Sequence, residues 1–409
     1  MTTAQQTLLR LLATALFSAP LTLPEEVDWQ AVLAESRAQA VLPLAYEAAR
    51  TVLPEAEKPA WQKAALERIT RNYAVRAEHA EAAKVLYDAG VPFALFKGTA
   101  SARYYPEPAL RAMGDVDFLV PADRMEAAEK AIRAAGFARD TTPGISDPNV
   151  EWIYRRAPKS CWEMHRTLNG IPAGEVGIRA QQMLADTVET AESYASPEGA
   201  YPVPDTLHHG LILLLHTAHH LLSGGVGLRH FCDWAVFAAS LPDEAFVRTF
   251  AAPLREIGLW RFAQTLERCA EMYLVAPQRT WAQDIPDALA EELLADLLET
   301  GNLGSKDPTR AYQQNLLYDR GSATVGGKSR LVRFFGNLTA AAKRDYPAAE
   351  KHAALLPLAW LCTAVRCTVQ LVTGKRPRLD SELRRAAQTR AARYRALALF
   401  ELERKEETP

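Results

Sequence analysis

Cysteine is scarce in this chain: five among 409 residues, scattered at Cys161, Cys232, Cys269, Cys362 and Cys367. An odd, unclustered set is neither a disulfide framework nor a four-cysteine zinc site, and it suits a reducing compartment. Excess charge of one sign is missing too. Forty-seven Lys and Arg meet 49 Asp and Glu, a formal net charge of −2, which excludes bulk attraction to nucleic acid or an anionic membrane and leaves only local patches. A bilayer-length apolar run is not evident. LLRLLATALFSAP near the start carries Arg10 inside it with no basic segment before it, so it reads as an amphipathic helix and not an export signal. HAALLPLAWLCTAV, at 352–365, falls short of the ~20 apolar residues a span needs. The expectation is a cytoplasmic protein with no membrane partner. What is present is apolar substance: 48% hydrophobic residues exclude disorder. The length allows two or three domains at ~150 residues each.

Pattern divides the chain into five stretches. Residues 1–88 are alanine-rich with helical periodicity. Residues 89–170 change character: VPFALF and VDFLV are short strand-like runs, PADRMEAAEKAIRAAG reads as a helix with Pro121 at its start and Gly136 at its end, and EWIYRRA and CWEMHRTL alternate as two further strands. Residues 171–300 read as helices, 301–330 as a mobile Gly/Ser/Lys-rich loop, and 331–409 as helix again with a charged tail. The fold class expected is α+β: a small mixed sheet between extensive helical regions.

The sharpest chemical signal is Gly114-Asp115-Val-Asp117-Phe-Leu-Val. On a strand, residues two apart point the same way, so Asp115 and Asp117 converge. Such a pair repels unless a cation sits between its members, and hard oxygen ligands suit Mg²⁺ or Mn²⁺. Upstream, VPFALF runs into Lys97-Gly98-Thr99, a strand–glycine–hydroxyl turn whose backbone N–H groups could meet a phosphate. Downstream, alternation in Cys-Trp-Glu163-Met-His165 puts Glu163 and His165 on one face and Trp162 and Met164 on the other. A third carboxylate on a neighbouring strand completes a two-metal donor set.

These residues, Lys97-Gly98-Thr99, Arg111-Ala-Met-Gly-Asp115-Val-Asp117 and Glu163-Met-His165, resemble the nucleotidyltransferase superfamily of polymerase β type. More closely, they are similar to a bacterial group of uncharacterised nucleotidyltransferases, some of which accompany lasso peptide gene clusters. The likeness continues through Leu-Leu-Leu-His216-Thr-Ala-His219-His220, Gly227-Leu-Arg229-His230-Phe-Cys-Asp233-Trp and Leu355-Leu-Pro-Leu-Ala-Trp360. The chain has Thr99 where the superfamily has Gly or Ser. The resemblance implies a nucleotidyltransferase core at 89–170. It also implies transfer of a nucleoside monophosphate from an NTP, taken as ATP, to a hydroxyl or phosphate of an acceptor, with a modified peptide as one candidate. Asp115, Asp117 and Glu163 are the implied catalytic and metal-holding residues, with Mg²⁺ or Mn²⁺. Lys97, Gly98, Thr99, Arg111, His165, His216, His220 and Asp233 are the expected nucleotide-binding set. Alternatives are a tRNA-modifying or toxin-like nucleotidyltransferase, or a catalytically silent nucleotide-binding scaffold.

Three other features were weighed. Six of nine histidines fall between 208 and 230. On a helix over 206–222, His209, His216 and His220 lie opposite an apolar stripe, and His216 and His220 at i, i+4 could meet zinc, but no third ligand is evident from the sequence. GSATVGGKS at 321–329 misses the phosphate-loop pattern, since Ser322 stands where its first glycine belongs. Eight basic residues between Gly374 and Arg395 could attract RNA, with a solvated helix face as the commoner reading. Finally, Asp117→Asn is expected to relieve repulsion and leave stability intact.

Overall fold

The computed structural model describes residues 1–142, 146–147, 149–307, 309–310, 313, 318–319, 324–325, 330–346, 348–373 and 381–402. Four helices come first: α1 (Thr3–Phe17), α2 (Trp29–Ala38), α3 (Leu42–Ala49) and the 31-residue α4 (Lys58–Asp88). Thr2 and Gln5 form a reciprocal cap on α1, which ties down the start of the chain. Strand β1 (Ala94–Phe96), the short α5 (Gly98–Ala102), β2 (Val116–Leu119), α6 (Met125–Ala134), β3 (Ala138–Arg139) and the hairpin β4 (Glu151–Arg156)–β5 (Ser160–His165) then build a five-stranded sheet of order β1-β2-β5-β4-β3. Strands β2 and β5 run parallel, and every other pair is antiparallel. The sheet is small and mixed, as the patterning implies.

Alternation decides what each face of this sheet does. Val116, Phe118, Trp162 and Met164 are wholly buried in a core shared with Leu86 of α4 and Ile132 of α6. Trp162 lies 3.9 Å, ring to ring, from Phe137. Burying such aromatic and branched side chains contributes ~1.5–3 kcal/mol each, so a one-residue slip of β5 would exchange that gain for buried carboxylates. The register is therefore fixed by the core face, and the opposite face is left to Asp117, Glu163 and His165.

That opposite face meets a helical bundle. Helix α7 (Glu175–Met183) leads to a two-stranded hairpin, β6 (Glu192–Ser196) and β7 (Gly199–Val203), within a stretch expected to be helical. Tyr201 and Val203 point inward onto the sheet's core, which gives the hairpin its anchor. Helices α8 (Thr206–Leu222), α9 (Leu228–Ala239), α10 (Asp243–Glu256), α11 (Trp260–Leu274) and α12 (Asp287–Thr300) follow. Helix α8 carries the apolar stripe its pattern implies, but the opposite face is largely covered too. It is buried on nearly all sides, and His209 is a core residue packed against Tyr104 and Phe237.

Several expectations for the C-terminal part change. Of the cations foreseen in a loop over 301–330, Lys306 pairs with Glu35 at 2.7 Å and Arg310 with Asp296 at 2.9 Å, so the first part of that stretch is a packed connector. Arg320 and the 321–329 glycine run, apart from Thr324 and Val325, lie outside the described residues. In the basic helix Ser381–Ala396, Arg393 pairs with Asp296 at 2.7 Å and Arg390 donates to the Leu221 carbonyl at 3.1 Å. Those two charges serve internal docking and not RNA. The apolar run at 352–365 continues as helix Leu356–Val372, and the 20-residue window Ala353–Val372 is long and apolar enough to cross a membrane by length and composition, with 11% of it buried. Length therefore does not exclude a span, contrary to the shorter run read from the sequence. Leu355, Leu358, Leu361, Val365, Val369, Leu371 and Val372 are among its exposed side chains.

One buried ion pair joins sheet and bundle. Arg111, which precedes β2, donates to both carboxylate oxygens of Asp233 on α9 at 2.6 and 2.8 Å and to the Gly98 carbonyl at 3.1 Å. Tyr105 donates its hydroxyl to the same carboxylate at 2.7 Å. Removing one partner of such a pair leaves the other charge buried alone, so Asp233→Asn is expected to cost about 3–5 kcal/mol in urea unfolding. A loss below about 1 kcal/mol would show that the pair does not hold the two units together.

Candidate functional site

Asp117 and Glu163 are direct cross-strand neighbours on the parallel β2–β5 pair. Asp115 precedes β2 by one residue, and all three carboxylates line one cavity of about 250 Å³ between the sheet and helices α8 and α9. Asp117 is 2% exposed. Burial alone would favour its neutral form, but Lys97 Nζ at 2.7 Å and His165 Nε2 at 3.1 Å outweigh burial and hold the carboxyl well below the usual carboxylate range. The neighbours respond in the opposite sense. Burial and the Asp117 charge push Asp115 up, and burial with Asp117 and Asp115 pushes Glu163 up to about 9. Like charges crowded on one wall cannot all ionise without a further cation.

The turn after β1 supplies the counter-charge through an unusual backbone. Lys97 has φ 55° and ψ −133°, and Gly98 follows at φ +24°. A non-glycine residue at positive φ is costly and persists only where the surroundings enforce it. What enforces it here is His79 of α4. A Cβ on Gly98 would lie 2.2 Å from His79 Nε2, so the turn passes directly against that ring. His79 is fully buried, donates from Nδ1 to the Val75 carbonyl at 2.7 Å, and burial pulls its pKa down to about 4. Helix α5 is only five residues long and offers little dipole to a phosphate.

The remaining expected residues separate into those on the cavity wall and those behind it. Lys97, Gly98, Arg111, His216, His220 and Asp233 line the cavity with the three carboxylates. Arg111 and Asp233, however, spend their charges on each other. Thr99 is buried outside the wall, with its hydroxyl unpartnered, and Ser101 takes the lining position instead. His165 is wholly buried and touches the cavity only through Asp117, with its other ring nitrogen 3.4 Å from Glu151. It orients a carboxylate and does not meet the cavity itself. Sequence patterning missed Asn169, which donates to Glu151 and lines the cavity, and left His230 out of the site. His230 could have been found from the glycine turn Gly224-Gly225-Val-Gly227, which folds α9 back beside the His216/His220 face of α8.

On that second wall, His216 and His220 are one helical turn apart with Nε2 atoms 3.1 Å from each other. His230 stacks beside both, at 5.6 and 5.5 Å between ring centroids. Burial drives all three pKa values well down, with Lys97 and Arg229 adding to it. The cavity thus has an acidic oxygen wall and a neutral imidazole wall. Among the described residues, two groups of side chains place ligand-type atoms within 4.8 Å of one another: Asp117, Glu163 and His165, and His216, His220 and His230.

A family model described as "uncharacterised nucleotidyltransferase" matches residues 25–274, more than half of the chain. The chain belongs to that family. No curated protein matches it. The match runs from α2 through α11 and so contains the sheet and the whole of both cavity walls. Family membership carries nucleotidyl transfer as a generic activity, and the acidic cluster is one of the parts of the cavity whose side chains could hold a metal ion.

The Gly98–His79 contact can be tested without an activity assay. Gly98→Ala should cost about 1–3 kcal/mol through overpacking. In the His79→Ala background the same change should cost at least about 1 kcal/mol less, because the colliding ring is gone. Additive costs in the four-variant cycle would contradict the contact.

Proposed function

We propose that this nucleotidyltransferase moves a nucleoside monophosphate from ATP to a hydroxyl or phosphate of an acceptor molecule, within the cavity between β2–β5 and α8–α9. The observation that carries the reading is the side-by-side placement of Asp117 and Glu163 on parallel strands, with Asp115 on the same wall. The donor set fits a hard divalent cation: its atoms are carboxylate oxygens, and burial together with their mutual repulsion pushes Glu163 and Asp115 toward the neutral form. Asp115, Asp117 and Glu163 would hold Mg²⁺ or Mn²⁺, which when bound supplies charge neutralisation for the triphosphate and acidifies an acceptor hydroxyl.

The chain's own side chains do the rest. The acceptor oxygen forms a bond to the α-phosphorus while the bond from that phosphorus to the bridging oxygen breaks, releasing pyrophosphate. The proton of an acceptor hydroxyl passes to a carboxylate oxygen, Glu163 or Asp117, within hydrogen-bond reach. Lys97 is a mobile-ended cation on the same wall, 17% exposed, and can turn from Asp117 to a phosphate oxygen of the donor. Arg229 lines the opposite side and adds positive charge where the leaving group develops negative charge. The Arg111–Asp233 clamp holds the two walls at fixed separation, and fixed positioning is most of what this chemistry requires. A modified peptide is one candidate acceptor.

Calorimetry of the full chain with ATP should give binding with Mg²⁺ and at least about tenfold weaker binding after chelation. Equal affinity in both would contradict the reading. Two substitutions sharpen the test. Asp117 carries contacts to Lys97 and His165, so Asp117→Asn should abolish pyrophosphate release and also lower the melting temperature, a revision of the relief of repulsion expected from sequence. Glu163 has no Lys or Arg within ion-pair distance among the described residues and lies 3.8 Å from His165. Glu163→Gln should therefore abolish turnover with the melting temperature unchanged or raised.

A further inference from the structure

The imidazole wall has no role in nucleotidyl transfer as described above, yet its geometry is that of a ligand set. His216 and His220 project from one face of α8, and His230 comes from the first turn of α9. One ring nitrogen from each lies within 4.8 Å of the others. Two rings approach with Nε2 to Nε2 at 3.1 Å, where a single hydrogen bond can satisfy one nitrogen of each. Nδ1 of His216 and Nδ1 of His230 are buried without any hydrogen-bond partner. Among the described residues no carboxylate lies within ion-pair distance of the three rings, so they are not a charge-relay cluster. The His216–His220 Nε2 pair holds one shared proton at most, and a metal ion in its place would accept a lone pair from each ring.

We propose that His216, His220 and His230 bind a divalent transition metal ion of the zinc class, at a site separate from the carboxylates but opening into the same cavity. Zinc–nitrogen bonds of ~2.0–2.1 Å place two ligands of a tetrahedral ion about 3.3–3.4 Å apart. The His216–His220 pair already approaches that spacing, and His230 closes by rotation of its ring. Imidazole nitrogen selects zinc, cobalt or nickel over Mg²⁺, which takes oxygen. The two walls therefore sort metals by ligand chemistry. Three protein ligands leave one position open, the arrangement of reactive rather than structural zinc sites. That position faces the cavity. With Arg229 Nη2 3.4 Å from His230 Nε2, a positive neighbour beside a dication favours an anionic oxygen as the fourth ligand. The site does not depend on the nucleotidyl-transfer reading, since the metal alone can occupy it.

The test uses the untagged full chain, dialysed against chelator, titrated with Co²⁺ and followed by visible absorption. The expected result is one equivalent of Co²⁺ with the intense bands of four-coordinate geometry, displaced by stoichiometric Zn²⁺ and untouched by millimolar Mg²⁺. Asp117→Asn should retain this spectrum while losing Mg²⁺-dependent ATP binding, which separates this site from the carboxylate site. His220→Gln and His230→Gln should each weaken Co²⁺ binding by more than about 100-fold, beyond the loss seen for outer-shell partners. X-ray absorption of the zinc-loaded wild-type protein, which needs no variant to fold, should show three nitrogen ligands at ~2.0–2.1 Å. A weak six-coordinate spectrum, an oxygen-only shell, no bound Co²⁺, or a spectrum lost with Asp117→Asn and kept with His220→Gln would each overturn the proposal.

Discussion

Repulsion among Asp115, Asp117 and Glu163 is the constraint around which the rest of the molecule is arranged. Three carboxylates on one wall of a cavity cannot share it as three anions, and the fold manages them unequally. Asp117 receives both close cationic or hydrogen-bonding partners, Lys97 and His165, and stays ionised, while Asp115 and Glu163 are driven toward protonation. Keeping Lys97 in place requires a positive φ at that residue, which in turn requires Gly98 next to it and the His79 ring beneath it. The strained β1–α5 turn thus sets Lys97 beside the charge pattern that begins on the neighbouring strand β2. A site built this way is poised: the counter-ion is internal and can be exchanged for an external one.

Positioning comes from elements that are themselves uncharged. The apolar faces of β2 and β5 lock their register, since Phe118, Trp162 and Met164 have no alternative place to go. That lock forces Asp117 and Glu163 into direct opposition. Behind them His165 bridges toward Glu151, and Asn169 closes the row from the loop after β5. On the other side α8 is sunk in the bundle, which fixes where its histidines emerge. The Arg111–Asp233 pair then joins the two halves. Burying that pair has a desolvation cost, so its value lies in geometry at least as much as in stability.

Local alternation made much of this readable in advance. The spacing of Asp115 and Asp117 and the partition of Glu163 and His165 from Trp162 and Met164 follow from a two-residue period, whereas the parallel direction of β2 and β5 is set by the fold and not by that period. Features that depend on distant segments were not readable. Arg111 looks like a free cation until Asp233, 122 residues later, is brought to it. Thr99 looks like a phosphate-facing hydroxyl until the turn rotates it inward. Of the histidine face read on α8, His216 and His220 reach the cavity, while His209 is covered by Tyr104 and Phe237, a local tertiary override of its periodicity. His230 needed the glycine turn between α8 and α9, and Arg390 and Arg393 needed partners on α8 and α12 before they ceased to look like a basic surface.

The central claim is that the carboxylate wall takes a divalent cation together with a nucleotide, displacing Lys97 from Asp117. A crystal of the protein grown with Mn²⁺ and a non-hydrolysable ATP analogue, measured at the manganese absorption edge, tests it most directly. The account predicts anomalous density among Asp115, Asp117 and Glu163, with the Lys97 ammonium moved onto a phosphate oxygen. No density on the carboxylates with nucleotide present, with Lys97 still bound to Asp117, would contradict it.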